Sequence, residues 1–128
     1  MEISAILSEE NVFPDVEVAT KRQLFELAAK NIAHFEGIDE NQIFEALWER
    51  ENLGSTGYGE GVAFPHARIE GLDKVCGLFA RLDEKVDFDS LDGKPVDLVF
   101  LLVSPENSGA DHLSALATLS RLLKTEGS

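Results

Sequence analysis

Three residues of this 128-residue chain pair a chemically capable side chain with a neighbourhood that could use it: Arg50, His66 and His112. Histidine can serve near neutral pH as a nucleophile, proton carrier or metal ligand, and the planar fork of arginine can grip an anion. Taken singly, each has an ordinary explanation. A lone histidine usually belongs to surface or core, an arginine in a last helical turn complements the helix dipole, and a histidine at a helix start needs no further role. His66 is set apart by what precedes it. Residues 52–61 read Asn-Leu-Gly-Ser-Thr-Gly-Tyr-Gly-Glu-Gly, and Pro65 stands directly before the histidine. The glycines permit positive φ and close backbone approach, so backbone N–H groups or the Ser55 and Thr56 hydroxyls can turn toward an anion, while Pro65 stiffens the approach. The pattern is that of an accessible imidazole nucleophile beside an anion-binding loop.

Other chemistries fit less well. No Gly-Lys-Ser/Thr follows the glycines, so they do not form a nucleotide-binding P-loop, and Gly-x-Ser-x-Gly is absent. A metal site from His66, His112 and Asp111 matches no recognised ligand spacing and is the remote alternative. The single cysteine, Cys76, lies among Val75, Gly77 and Leu78 and reads as a buried structural thiol; His34, inside an amphipathic helix, is likewise assigned to structure.

The elements that must position these residues follow from caps and periodicity. Thr20 with Gln23 is a capping box, after which Leu24, Leu27, Ala28, Ile32 and Phe35 recur at helical spacing until Gly37. Asp39 with Gln42 opens a second helix carrying Ile43, Ala46 and Leu47 and ending near Glu51, with Arg50 in its last turn. Ile3–Leu7 is weakly helical. Asn52 to Gly61 is expected as loop, Val62 to Phe64 as a brief strand, and His66 at a strand end or edge because Pro65 cannot donate to a ladder. Val75–Leu82 and Val96–Val103 are apolar on both sides, as strands covered on two faces are, with Asp92-Gly93 and Pro95 turning between them. Ser104-Pro105 stops the last strand. Ser108 with Asp111 then caps a final helix bearing Leu113, Leu116, Ala117, Leu119, Leu122 and Leu123, with His112 in its first turn. The expected architecture is α/β: one domain with a mostly buried central sheet flanked by helices on both faces.

A chain of this length fits one domain. Its net charge of −13 argues against a nucleic-acid partner, whose phosphates call for clustered Lys and Arg, and favours basic protein partners. The longest apolar run, Leu98–Val103, is too short to span a bilayer, and Met-Glu-Ile-Ser does not begin a secretory signal, so membrane insertion is not expected and a cytoplasmic location is. One cysteine precludes an internal disulfide.

The run from Arg50 through Gly54-Ser-Thr-Gly-Tyr-Gly-Glu-Gly-Val-Ala-Phe-Pro-His66 resembles the active-site signature of the phosphotransferase-system enzyme IIA domains of the mannitol/fructose class. Phe88–Val103 and His112-Leu-Ser-Ala-Leu-Ala117 are similar to the same family, especially its nitrogen-regulatory branch, and the likeness covers nearly the whole chain. Tyr58 stands where an aliphatic residue is common. The resemblance implies that residues 1–128 are one enzyme IIA domain lacking the family's further C-terminal segment, with the final Gly-Ser reading as a cloning remnant. It implies that His66 accepts a phosphoryl group from an HPr-like phosphohistidine carrier, with His112 as the second active-site histidine and Arg50 as the active-site arginine. Output would go to regulatory target proteins or, as the alternative, to a sugar-transport enzyme IIB. Phosphoryl transfer asks mainly for positioning and charge stabilisation, and neither cofactor nor metal is required.

Overall fold

The hydroxyl of Thr20 accepts from the Gln23 N–H at 3.1 Å, and the Gln23 side chain accepts in return from Ala19 N–H at 2.7 Å, so helix α1 starts at Lys21 and runs Lys21–Glu36. Gly37 ends it in the left-handed region at φ 68°, its N–H reaching back to the Ala33 carbonyl at 2.9 Å. The Asp39 carboxylate caps α2, Glu40–Leu53, through Gln42 N–H at 3.1 Å. The structure, a computed structural model, describes residues 12–90 and 92–106. Ile3–Leu7 and the helix expected after Ser108, with His112, lie outside them.

Among the described residues, six strands form one mixed sheet: β1 Val12–Val16, β2 Gly57–Gly59, β3 Val62–Ala63, β4 His66–Ile69, β5 Cys76–Val86 and β6 Val96–Pro105. β5 and β6 pair antiparallel at its centre, from Cys76 opposite Val103 to Val86 opposite Val96. β1 lies parallel on the outer side of β5. The other side of β6 carries two short strands in succession, β3 and then β4, both parallel to it, and β2 closes the order by pairing antiparallel with β3.

Two expectations change here. The stretch 52–61 is not all loop: α2 continues to Leu53, and Gly57–Gly59 forms β2 of a hairpin. Glu60 and Gly61, between the paired Gly59 and Val62, both have positive φ (57° and 80°), as the primed turns of two-residue hairpins require. β1 was not anticipated, because Pro14 and Asp15 disfavour a strand; at a sheet edge they are accommodated where the register with β5 shifts, between Phe13 and Val16.

Alternation along β5 and β6 divides the sheet into two faces. Leu78, Ala80 and Leu82 join Val99, Leu101 and Val103 in a cluster with Leu24, Phe25, Ala28 and Ile32 of α1 and Ile43 and Leu47 of α2. Burying each such Leu, Ile or Phe side chain contributes about 1.5–3 kcal/mol. This shared core makes the described residues a single α/β domain. Both described helices pack on that face, while Phe64, Phe79, Leu98 and Phe100 occupy the other, Phe100 lying 6.0 Å from Phe64 and 4.7 Å from Phe79 between ring centroids.

Candidate functional site

His66 is the first residue of β4, opposite Leu102 of β6. The break between β3 and β4 places it: Pro65 has no N–H to offer, but its carbonyl accepts from Leu102 N–H at 2.9 Å, so the chain stays registered on β6 through the break. The carbonyl of Phe64, out of the ladder, lies 2.9 Å from Nδ1 of His66. A carbonyl can only accept, so Nδ1 carries the proton and the ring's lone pair is at Nε2. The imidazole is partly buried, and that burial, as the largest influence, pulls its pKa below 6.5; the Phe64 bond opposes the shift, the Arg50 charge adds to it and the Glu51 charge opposes it. At neutral pH the ring is therefore neutral, the form an attacking nitrogen needs.

The Arg50 charge reaches the His66 ring, so these two sequence-predicted residues lie within electrostatic range of each other. Arg50 sits in the last turn of α2 and its Nη1 donates to the Gly54 carbonyl at 2.9 Å, tethering the side chain to the end of its own helix. That one bond engages one nitrogen of a fork with five N–H donors.

Ser55 and Thr56 turn inward. The Ser55 hydroxyl donates to the Phe88 carbonyl and accepts from Gly57 N–H at 3.0 Å. Thr56 is buried; its hydroxyl donates to the Glu51 carboxylate and its N–H donates to the same carboxylate at 3.0 Å. These bonds shape the loop from within, and a contact from either hydroxyl to a bound anion would require it to leave its present acceptor.

Sequence reasoning passed over Glu51 and Lys21. The Glu51 side chain is only 3% exposed and meets Lys21 Nζ at 2.9 Å, across from the end of α2 to the start of α1. Lys21 Nζ also donates to the Phe88 carbonyl at 3.3 Å and lies 5.1 Å above the Phe88 ring. A signal was present: Ile43, Leu47 and Glu51 fall four residues apart on one helical stripe, as do Lys21, Leu24, Phe25 and Ala28 at offsets of three, four and seven, so each charge extends an apolar face.

His112 and Asp111 lie outside the described residues. Among the described residues, no group of three His, Cys, Asp or Glu side chains is placed to hold a metal ion. Cys76 is buried in the core with its thiol pushed up to about 12, chiefly by that burial, and is no thiolate nucleophile at neutral pH. His34 lies in the last turn of α1. No helix among the described residues is long and apolar enough to cross a membrane.

The chain belongs to the family described as phosphoenolpyruvate-dependent sugar phosphotransferase system, EIIA 2, which it matches over residues 5–128. It is 48% identical over 126 residues to the nitrogen regulatory protein of Bradyrhizobium diazoefficiens, spanning 98% of this chain and 82% of that relative. Its structure superposes on the nitrogen regulatory protein IIA-Ntr of Neisseria meningitidis with a TM-score of 0.87 at 44% identity, over 91% of this chain and 80% of that one. The fold is shared at a TM-score of 0.78 and 23% identity with Escherichia coli enzyme IIAMTL, solved in complex with phosphorylated enzyme IIBMTL, over 92% and 81% of the two chains.

Proposed function

We propose that this protein is a phosphocarrier of the nitrogen-regulatory branch of the phosphotransferase system, accepting a phosphoryl group on Nε2 of His66 from an HPr-like carrier. The observation that carries the reading is the 2.9 Å contact of His66 Nδ1 with the Phe64 carbonyl, which leaves the ring's lone pair, and so the proposed attack, to Nε2. In the transfer, the P–N bond to the donor imidazole breaks as a P–N bond to Nε2 forms. The donor ring leaves neutral, and the positive charge that develops on His66 is shared along its Nδ1–H bond to Phe64. Arg50 neutralises charge on the phosphoryl oxygens, for which its free donors suit. His112 is proposed as a second stabiliser, donating to the same oxygens, while Ser55 and Thr56 hold the loop around the group. The names of its relatives favour regulatory output to other proteins over onward transfer to a sugar-transport enzyme IIB. A cytoplasmic site of action fits such partners.

The test is incubation with phosphoenolpyruvate, the first enzyme of the phosphotransferase system and an HPr-like carrier. One acid-labile, alkali-stable label per chain is expected, absent from His66→Ala. Label retained by that variant, or found on Ser55 or Thr56, overturns the reading. Adding an enzyme IIB component to the labelled protein separates the two outputs, since only a sugar-transport domain should discharge to it rapidly.

A further inference from the structure

A continuous chain of hydrogen bonds leads from the buried Glu51 carboxylate to the His66 ring. Glu51 accepts from both the hydroxyl and the N–H of Thr56. The Thr56 carbonyl accepts from Phe64 N–H at 3.0 Å, and the Phe64 carbonyl accepts from His66 Nδ1 at 2.9 Å. Phe64, whose carbonyl sets the histidine's tautomer, is thus held through its own N–H on the loop that Glu51 anchors. Lys21 completes the arrangement by pairing with Glu51 and by donating to the Phe88 carbonyl, the acceptor that Ser55 also uses.

Stability alone gives little reason for this pair. Lys21 is the first residue of α1, where a cation opposes the helix dipole, and Glu51 lies in the last turn of α2, where an anion does. Desolvating two charges offsets much of their attraction, and well-packed apolar residues usually do as well or better. What the pair supplies that apolar residues cannot is a fixed acceptor for both donors of Thr56.

We infer that Glu51, with Lys21 as its counter-ion, is a positioning residue for His66, fixing through Thr56 and Phe64 where the imidazole sits and which nitrogen bears its proton. Glu51 does not touch the transferred group. The inference depends on the phosphocarrier reading only for its consequence in rate; its structural content is the tautomer.

The experiment is nitrogen NMR of the His66 ring at a pH where it is neutral, on the full chain and three variants. Removing one charge of a buried pair risks unfolding, so the pair is replaced together by apolar residues in Lys21→Met/Glu51→Leu, which also removes the acceptor for Thr56. Thr56→Val removes only the hydroxyl link, and Thr56→Ser keeps it. Wild type and Thr56→Ser should show one tautomer, protonated at Nδ1. The double variant and Thr56→Val should show a mixture with the Nε2-protonated form, which free histidine favours, and transfer from the HPr-like carrier should slow roughly tenfold, the scale of a small misplacement of a reacting group. A single Nδ1-protonated tautomer in folded Thr56→Val, whatever its stability or rate, overturns the inference, as does a wild-type ring protonated at Nε2. A wild type that takes no phosphoryl group while the variants still shift tautomer would overturn the phosphocarrier reading and leave this one standing.

Discussion

The Phe64 carbonyl and the His66 ring, two residues apart and separated only by Pro65, form a closed unit in which the backbone of one selects the reactive nitrogen of the other. Because burial and the Arg50 charge together outweigh the opposing Phe64 bond and Glu51 charge, the folded pKa lies below the ordinary 6.5. The rate of single-turnover phosphorylation should therefore fall on acidification with a midpoint below 6.5. The unfolded chain binds the proton first as pH drops, so the stability tied to this group is fully present above pH 6.5 and is lost as pH falls through 6.5 toward the folded value. His66→Gln, which cannot titrate, should lose less stability than wild type over that interval. An NMR midpoint for His66 at or above 6.5 would contradict both expectations.

Arg50→Lys should retain the fold, since the residue is partly exposed and a lysine can still place a cation in the last turn of α2. It should nevertheless transfer more slowly, by about tenfold, because an ammonium offers a point charge where the guanidinium can span two phosphoryl oxygens while holding Gly54. Circular dichroism checks the first half and single-turnover labelling the second. A wild-type rate would return Arg50 to the role of a helix-end residue.

His112→Ala should still accept phosphate on His66, but slowly. Losing one charge-directed hydrogen bond typically costs about 1.5–3 kcal/mol, or roughly ten- to a hundredfold in rate. Phosphate found on His112 itself, or a rate unchanged by its removal, would show that it has no part in the transfer.

What could be read from the sequence was what is decided locally. Thr20, Asp39 and Gly37 act within four residues of themselves, so the starts of both helices and the end of α1 are visible from side-chain type and spacing alone. His66 is legible for the same reason, because Pro65 and the glycines surround it in the chain. β1 is not, since Val12 finds its partner in Phe79, and only that distant pairing overrides the local preferences of Pro14 and Asp15. β2, built on Gly57 and Gly59, has poor strand propensity and exists by pairing with β3. Lys21 and Glu51 carry the same lesson into the site. Each reads as a surface charge until the packing of α1 against α2 brings the two ends together.

Gly57 ties the hairpin in front of His66 to the segment that follows β5. A Cβ built there would stand 2.2 Å from Ser90 Oγ, 3.0 Å from its Cβ and 3.1 Å from its Cα. Since backbone lies behind the hydroxyl, rotating the Ser90 side chain cannot make room, and Gly57→Ala must push the hairpin off the segment. Overpacking of this kind typically costs about 1–3 kcal/mol. Ser90 Oγ is itself buried with no hydrogen-bond partner among the described residues. Ser90→Ala should thus be neutral or stabilising by up to about 1 kcal/mol, because it removes a desolvated hydroxyl that no donor or acceptor serves. The two substitutions should not add: Ser90→Gly in the Gly57→Ala background removes the two closer clashes and leaves the one at Cα, so it should recover part but not all of the loss. Urea unfolding of the three variants and the double measures this cycle. Strict additivity, or a Gly57→Ala protein as stable as wild type, would mean that the hairpin does not rest on Ser90 as closely as the structure places it.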